Sequence, residues 1–233
     1  MMHDLSDDLL NSYDYRNDET LTSHLSSYDQ NALKQMMGFG RGVNAFGLRF
    51  AAHQNRVAKD GAALLLALGY SKIAAHNFRA AMLYHDIGKM HDCYEPQMWT
   101  LPTRPTPDQK ALQRKHAALG AQMWEEFAAG KKELSAHPHF AVRYAVTKYH
   151  HERIDGAGPQ RLDAATLPVF VQVSCIVDAY DGDRILRPHQ KSRRTPAEAL
   201  HRMKGIGKEN KKYDGAFAPD LLKIFTELKL KDH

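Results

Sequence analysis

Histidine and aspartate recur in this chain at intervals that suit a metal centre. Fourteen histidines stand among 233 residues, and imidazole serves both as a metal ligand and as a proton carrier near neutral pH. The positions of interest are His53, the pair His85-Asp86, His116, the pair His150-His151, and Asp178. They follow one another at intervals of about 30 residues, roughly one helix and a connection, which in an antiparallel bundle returns the chain to the same level. Imidazole and carboxylate with almost no thiolate suit Fe, Mn, Zn, Ni or Co and argue against a cysteine-type structural zinc site. A carboxylate can bridge two ions, as neutral imidazole cannot, and two ions roughly 3.5–4 Å apart are the usual clamp for phosphoester hydrolysis. A lone helical histidine would mean little, since most lie on a surface or are hydrogen-bonded in a core. Asp178 is more telling. It interrupts the apolar series Val169, Phe170, Val173, Ile176, Val177 and Tyr180, and a buried acid needs a cation or several hydrogen bonds.

The elements that must position these side chains are helices. Apolar residues recur at three and four rather than at two, so the chain reads as all-α, a single helical bundle. A first strong helix is predicted from Val43 to Leu68, with Val43, Phe46, Phe50, Val57, Leu64 and Leu68 on its apolar stripe. Ser71 is a cap for the next helix, which is predicted to end near Ile87-Gly88. Met90 to Thr106 forms a loop with Pro96, Pro102 and Pro105, long enough to read as a lid. Thr106-Pro107 opens a helix running to about Phe127. Further helices start at His137-Pro138, Leu167-Pro168, Thr195-Pro196 and Pro219. Residues 1–40 are polar and are expected to form a leader, partly helical or loosely ordered; residues 41–233 hold the chemistry.

Composition narrows the function classes. With 43% hydrophobic and 25% charged residues the chain reads as soluble and globular. Its longest apolar run, Ala62 to Leu68, is too short for a bilayer. No secretory signal is read at the start, and Cys93 and Cys175 are too few for a disulfide scaffold, so a reducing cytoplasm is expected. Residues 1–30 hold seven acids and one base, whereas Arg184 to Lys212 hold ten bases and two acids. The basic stretch reads as a solvated surface or as a rim that draws in a phosphate-bearing ligand. It has little aromatic interleaving beyond Tyr213, so specific nucleic-acid binding is not expected.

Five motifs in order carry a resemblance. Tyr84-His85-Asp86-Ile87-Gly88-Lys89 is similar to the HD-x-GK core of the HD superfamily of metal-dependent phosphohydrolases. The run His150-His151-Glu152-Arg153-Ile154-Asp155-Gly156-Ala157-Gly158 resembles the HHE-x-x-DG-x-G run of its HD-GYP subfamily. Ala52 to Ala58, Lys115 to Gly120 and Ile176 to Asp181 resemble the helices of the first histidine, the middle histidine and the metal-binding aspartate. The resemblance covers about residues 40–230 and includes Arg187-Pro188 and Thr195 to Leu200. It implies an HD-domain helical bundle with two divalent transition-metal ions, iron or manganese first, with Zn, Ni or Co as alternatives. It also implies hydrolysis of cyclic di-GMP to pGpG or GMP by a hydroxide held between the ions.

Carried over by residue, the metal ligands are His53, His85, Asp86, His116, His150, His151 and Asp178, with Asp86 bridging. Which remaining ligand serves which ion stays open. Lys89 is expected to contact a substrate phosphate or assist the leaving oxygen, and Arg153 and Arg187 to add substrate contacts. Glu152 and Asp155 read as groups that orient imidazoles. There are two departures. Pro159-Gln160 stand where the subfamily has Tyr then Pro, and Arg49 stands four residues before the first histidine, where some members carry a Glu for a third ion. The cation at 49 favours a two-metal site. Competing readings are a phosphohydrolase for another cyclic dinucleotide or nucleotide, and a nucleotide receptor without strong catalysis. The expected protein partner is a signalling protein or a second copy of the chain.

Overall fold

The computed structural model describes residues 5–39, 46–186, 191–205 and 212–231. Its helices are α1 (Glu19–Gly38), α2 (Phe46–Ala67), α3 (Lys72–Met82), α4 (Pro107–Arg114), α5 (His116–Ala128), α6 (Lys132–Ala136), α7 (Pro138–Tyr149), α8 (Val169–Arg184), α9 (Pro196–Met203) and α10 (Pro219–Lys231). No strand occurs among the described residues, and no helix there is long and apolar enough to cross a membrane. Local chemistry accounts for the helix starts. The Ser71 hydroxyl accepts from Ala74 N at 3.0 Å. Thr106 with Gln109, and Thr195 with Glu198, close capping boxes ahead of α4 and α9. The main core runs between α2, α3, α7 and α8 and includes Val57, Leu64, Phe78, Val142, Val146, Phe170 and Ile176. Cys175 is buried in it and Cys93 is exposed.

Two helices stop sooner than their periodicity predicts, and in both cases a histidine side chain is involved. The second helix ends at Met82 instead of continuing to Ile87-Gly88. The turn after it tightens to three-residue hydrogen bonds, His85 N to Met82 O and Ile87 N to Tyr84 O. The His85 ring also donates from Nδ1 to the Met82 carbonyl at 2.9 Å. The predicted helix from Pro107 to Phe127 is broken at Lys115 into α4 and α5. There His116 Nδ1 takes the Gln113 carbonyl at 2.5 Å, the acceptor an unbroken helix would offer to residue 117. Gly88 follows the first of these breaks at very close quarters: a Cβ on it would stand 1.9 Å from the His116 carbonyl and 2.5 Å from Gly120 N. Only a residue without a side chain lets the turn after α3 lie against α5.

The polar composition of residues 5–39 conceals how firmly they are held. Leu10, Leu21, Leu25, Ala32 and Met36 are buried. Asp7 accepts from Val169 N and Phe170 N, both at 3.0 Å, and so caps α8 with a negative charge. The Asn77 amide donates to the carbonyls of Leu10 and Tyr13. Most telling is Asp29, which binds the Arg143 guanidinium through both oxygens at 2.6 and 2.9 Å. Arg143 is 1% exposed and lies over the rings of Tyr84 and Trp124, 4.6 and 4.8 Å from their centroids. A few well-placed acids and aliphatics, spaced too sparsely to stand out in composition, dock this segment.

Removing one partner of a buried ion pair strands the other charge. Asp29→Ala is therefore expected to lower unfolding free energy by about 3–5 kcal/mol, with much of the loss recovered when Arg143→Met is added. Urea denaturation of the single and double variants measures both; a single-variant loss within the range of a surface substitution would contradict the pairing.

Candidate metal centre

The expected ligands converge. His53 comes from the middle of α2, His85 and Asp86 from the tight turn after α3, and His116 from the first residue of α5. His150 and His151 follow the end of α7, and Asp178 lies midway along α8. They form two groups whose ligand atoms lie within 4.8 Å of one another: His53, His85, Asp86 and Asp178 in one, and His116, His150 and His151 in the other. Asp86 joins them. Its Oδ2 is 3.3 Å from His53 Nε2 and 3.4 Å from His85 Nε2. Its Oδ1 is 2.9 Å from His116 Nε2 and 3.6 Å from His150 Nε2. Asp178 Oδ1 is 3.2 Å from His53 and 3.4 Å from His85, while its Oδ2 is 3.6 Å from His151 Nδ1.

The orientation of the rings says what this arrangement is built to hold. His85 Nδ1 meets the Met82 carbonyl, His116 Nδ1 the Gln113 carbonyl, and His150 Nδ1 the Val146 and Thr147 carbonyls at 3.0 and 2.8 Å. A carbonyl only accepts, so each Nδ1 carries the hydrogen and each Nε2 is a bare lone pair turned inward. His116 Nε2 is 3.2 Å from both His150 Nε2 and His151 Nε2. His85 Nε2 and Asp86 Oδ1 are buried without a hydrogen-bond partner. Lone pairs of imidazole and carboxylate repel at these distances; cations between them turn the repulsion into ligation. The residues therefore fit a pair of borderline metal ions.

Charge in the centre follows from the same packing. Burial holds the His85, His116 and His151 rings below the usual imidazole range. His53 is the exception: burial opposes its charge, but acceptance by Asp178, Asp181 and Asp86 lifts it to about 10. It stands as the local cation among three carboxylates, and a metal ion entering there displaces its proton. Burial disfavours the Asp86 carboxylate, yet the Lys89 ammonium beside it holds it well below the usual carboxylate range. The Lys89 ammonium is ion-paired to Asp86 Oδ2.

Several neighbours could not be read from motif spacing, or were read differently. Asp181 accepts from His53 Nδ1 at 2.7 Å and receives both Arg56 donors at 2.6 and 2.9 Å. Three residues after Asp178, it shares that residue's face of α8, and this spacing was the available signal. Glu152 turns away from the imidazoles. Its carboxylate accepts from Gln160 N at 2.6 Å and Leu162 N at 3.2 Å, which pins the loop after the histidine pair. Asp155 likewise pairs with Arg153 and accepts from Ala157 N, not from a ring. Arg153 binds Asp155 twice and donates to the carbonyls of Lys212 and Asp214, so its fork is occupied in tying two loops together. Arg187 lies outside the described residues. Arg49 is exposed on α2. The expected lid is fastened: Tyr94 OH donates to Leu112 O at 2.6 Å and Gln113 Nε2 to Met98 O at 2.6 Å. Among the ligands His151 is the most open, with 35% of its side chain exposed, and the neighbouring Lys89, which is not a ligand, is 20% exposed. The centre is approached from their side.

Comparison with known proteins agrees with this geometry. The family model described as HD domain matches residues 50–183. A cyclic di-GMP phosphodiesterase of Pseudomonas aeruginosa is 30% identical over 148 residues, which is 63% of this chain and 31% of that protein. The match thus spans about a third of the length of that relative. A HDG"Y"P protein from Bdellovibrio bacteriovorus shares the fold with a TM-score of 0.62 at 18% identity, covering 97% of this chain and 69% of that one. The HD domain of the L. monocytogenes phosphodiesterase PgpH, solved in complex with cyclic-di-AMP, gives a TM-score of 0.52 at 16% identity, covering 87% of this chain and 94% of that one.

Partners that fix a ligating ring typically contribute about 10–100-fold to metal affinity. Asp181→Asn is expected to weaken one of two bound metal equivalents by that factor and leave the other in place. Chelator competition with elemental analysis reads this; equal weakening of both, or of neither, would refute the role given to Asp181.

Proposed function

Because the chain belongs to the HD domain family, we propose that it is a metal-dependent phosphodiesterase that hydrolyses cyclic di-GMP to pGpG or GMP in the cytoplasm. The observation that carries this reading is the division of Asp86 between two histidine groups, one carboxylate oxygen toward each. The resemblance to the HD-GYP subfamily and the cyclic di-GMP phosphodiesterase of P. aeruginosa support the substrate.

His53, His85, Asp86 and Asp178 are the residues to hold one ion and His116, His150 and His151, with Asp86, the other. Two divalent ions, iron or manganese, would lower the pKa of a water and polarise the phosphoryl oxygens. The chain's own residues supply the rest. The buried rings keep their lone pairs aimed inward because backbone carbonyls hold their other nitrogens, so no reorganisation is needed when charge develops. Lys89 is positioned at the mouth to donate to a phosphate or leaving oxygen once Asp86 is engaged by metal. The loop pinned by Glu152 follows the histidine pair and carries Pro159-Gln160 in place of the subfamily's Tyr-Pro. That difference favours one second reading, a related cyclic dinucleotide such as cyclic di-AMP as the substrate.

The test uses protein purified without oxygen and loaded with Fe(II) or Mn(II), given each dinucleotide, with products separated by chromatography. Turnover of cyclic di-GMP is expected; intact cyclic di-GMP with both metal equivalents bound would reject it, and turnover of cyclic di-AMP alone would replace it by the second reading. Asp86→Ala is expected to lose both metals and activity together. Lys89→Met is expected to retain both metals while kcat falls about 10²–10³-fold, the usual effect of removing one preorganised donor; loss of metal in that variant would count against a contact to substrate.

A further inference from the structure

Lys89 is held by more than its ion pair. Its ammonium lies 5.4 Å from the Trp99 ring centroid and 5.8 Å from that of Phe50. Trp99 comes from the loop after the Lys89 turn and grips the same residue a second time, with Nε1 donating to the Lys89 carbonyl at 3.2 Å. The indole also stands edge-on to the ring of His116, centroids 5.7 Å apart at 88°, and packs against Tyr94 at 5.1 Å. The strand of loop that bears it is fastened to α4 through Met98 O and Tyr94 OH. Trp99 therefore touches a ligand of one metal group and the lysine that serves the bridging acid, from a support that is already fixed.

The consequence follows from what a metal ion does to Asp86. Its attraction for the ammonium falls once its oxygens are engaged by cations, and two divalent ions beside it repel Lys89 outright. A flexible lysine so placed would swing into solvent. Aromatic faces attract an ammonium without competing for metal, because the ring quadrupole is negative over its face and offers no lone pair. We infer that Trp99, together with Phe50, is a positioning residue that keeps the Lys89 ammonium at the mouth of the loaded centre, where it can meet a substrate phosphate oxygen. The inference rests on the reading of Lys89 above and extends it to a residue that the metal-ligand motifs do not include.

The test is a double-mutant cycle. Trp99→Leu removes the ring face but keeps an apolar side chain; Trp99→Phe restores a face and lacks the indole N–H. In metal-loaded protein Trp99→Leu is expected to lower kcat about tenfold, within the range of a partly desolvated cation–π contact, with KM and metal content little changed and most of the loss restored in Trp99→Phe. On the Lys89→Met background the same Trp99→Leu change is expected to cost nothing further. A second measurement does not depend on turnover: the affinity of the loaded protein for inorganic phosphate, by calorimetry, is expected to fall several-fold in Trp99→Leu and not to change when Lys89→Met is already present. A Trp99→Leu loss of equal size on both backgrounds, or one accompanied by loss of metal, would overturn the inference and make Trp99 a packing residue. Failure to hydrolyse cyclic di-GMP would reject the substrate alone, because the phosphate cycle decides the coupling between Trp99 and Lys89 by itself.

Discussion

Two carboxylates withdrawn from water, Asp86 and Asp178, surrounded by imidazole rings, are the constraint around which this molecule is organised. Asp86 is fully buried and the Asp178 side chain is 13% exposed, and among the described residues neither is matched by a bidentate arginine like the one that pairs Asp29. Taking such anions out of water is costly unless cations and hydrogen bonds compensate. Here Lys89 and a charged His53 answer part of the demand. The rings of His85, His116 and His150 cannot, because their one hydrogen is already committed to backbone carbonyls. That commitment turns the pocket into a receptor for metal ions instead of a set of internal ion pairs.

The backbone has been shaped to the same end. A long helix is a poor platform for adjacent ligands, since neighbours along it point about 100° apart. In this chain the ligand pairs His85-Asp86 and His150-His151 sit just past helix ends, where the tighter winding lets both members face one centre. His116 sits at a break, and its ring uses a carbonyl the break leaves available. Gly88 and Gly120 then allow the two interrupted segments to touch almost backbone to backbone. Helix continuity is given up where ligands are needed and retained in α2 and α8, which each contribute one ligand from mid-helix.

How much of this was legible in the residues depended on the kind of signal. The ligand types and their spacing marked the centre, and Pro-initiated caps marked most helix starts, because both are local properties. The ends of α3 and α4 were misjudged because apolar periodicity continues through them; the interruption comes from ring-to-carbonyl bonds that no periodicity encodes. Glu152 and Asp155 stood next to ligands in sequence but serve loops, while Asp181 serves His53 from 128 residues away. Trp99 lies in a loop whose length reads as a lid, and its fastening depends on the carbonyls of Met98 and Leu112. The docking of residues 5–39 depends on Asp7 and Asp29, two acids in a stretch whose polar composition reads as a loosely ordered leader.

One feature of that docking bears on how the protein comes into being. The carboxylate that closes the first turn of α8 belongs to Asp7, 162 residues upstream of the amide it receives. The ring that must meet Asp178 and Asp181 belongs to α2. On a growing polypeptide the early segment and the first histidine helix are therefore finished long before the element they are made to hold. Contacts of such separation form late and slowly. The His53 group cannot become whole until α8 has been synthesised, so ion uptake there must follow a helix whose Asp181 comes 128 residues after His53.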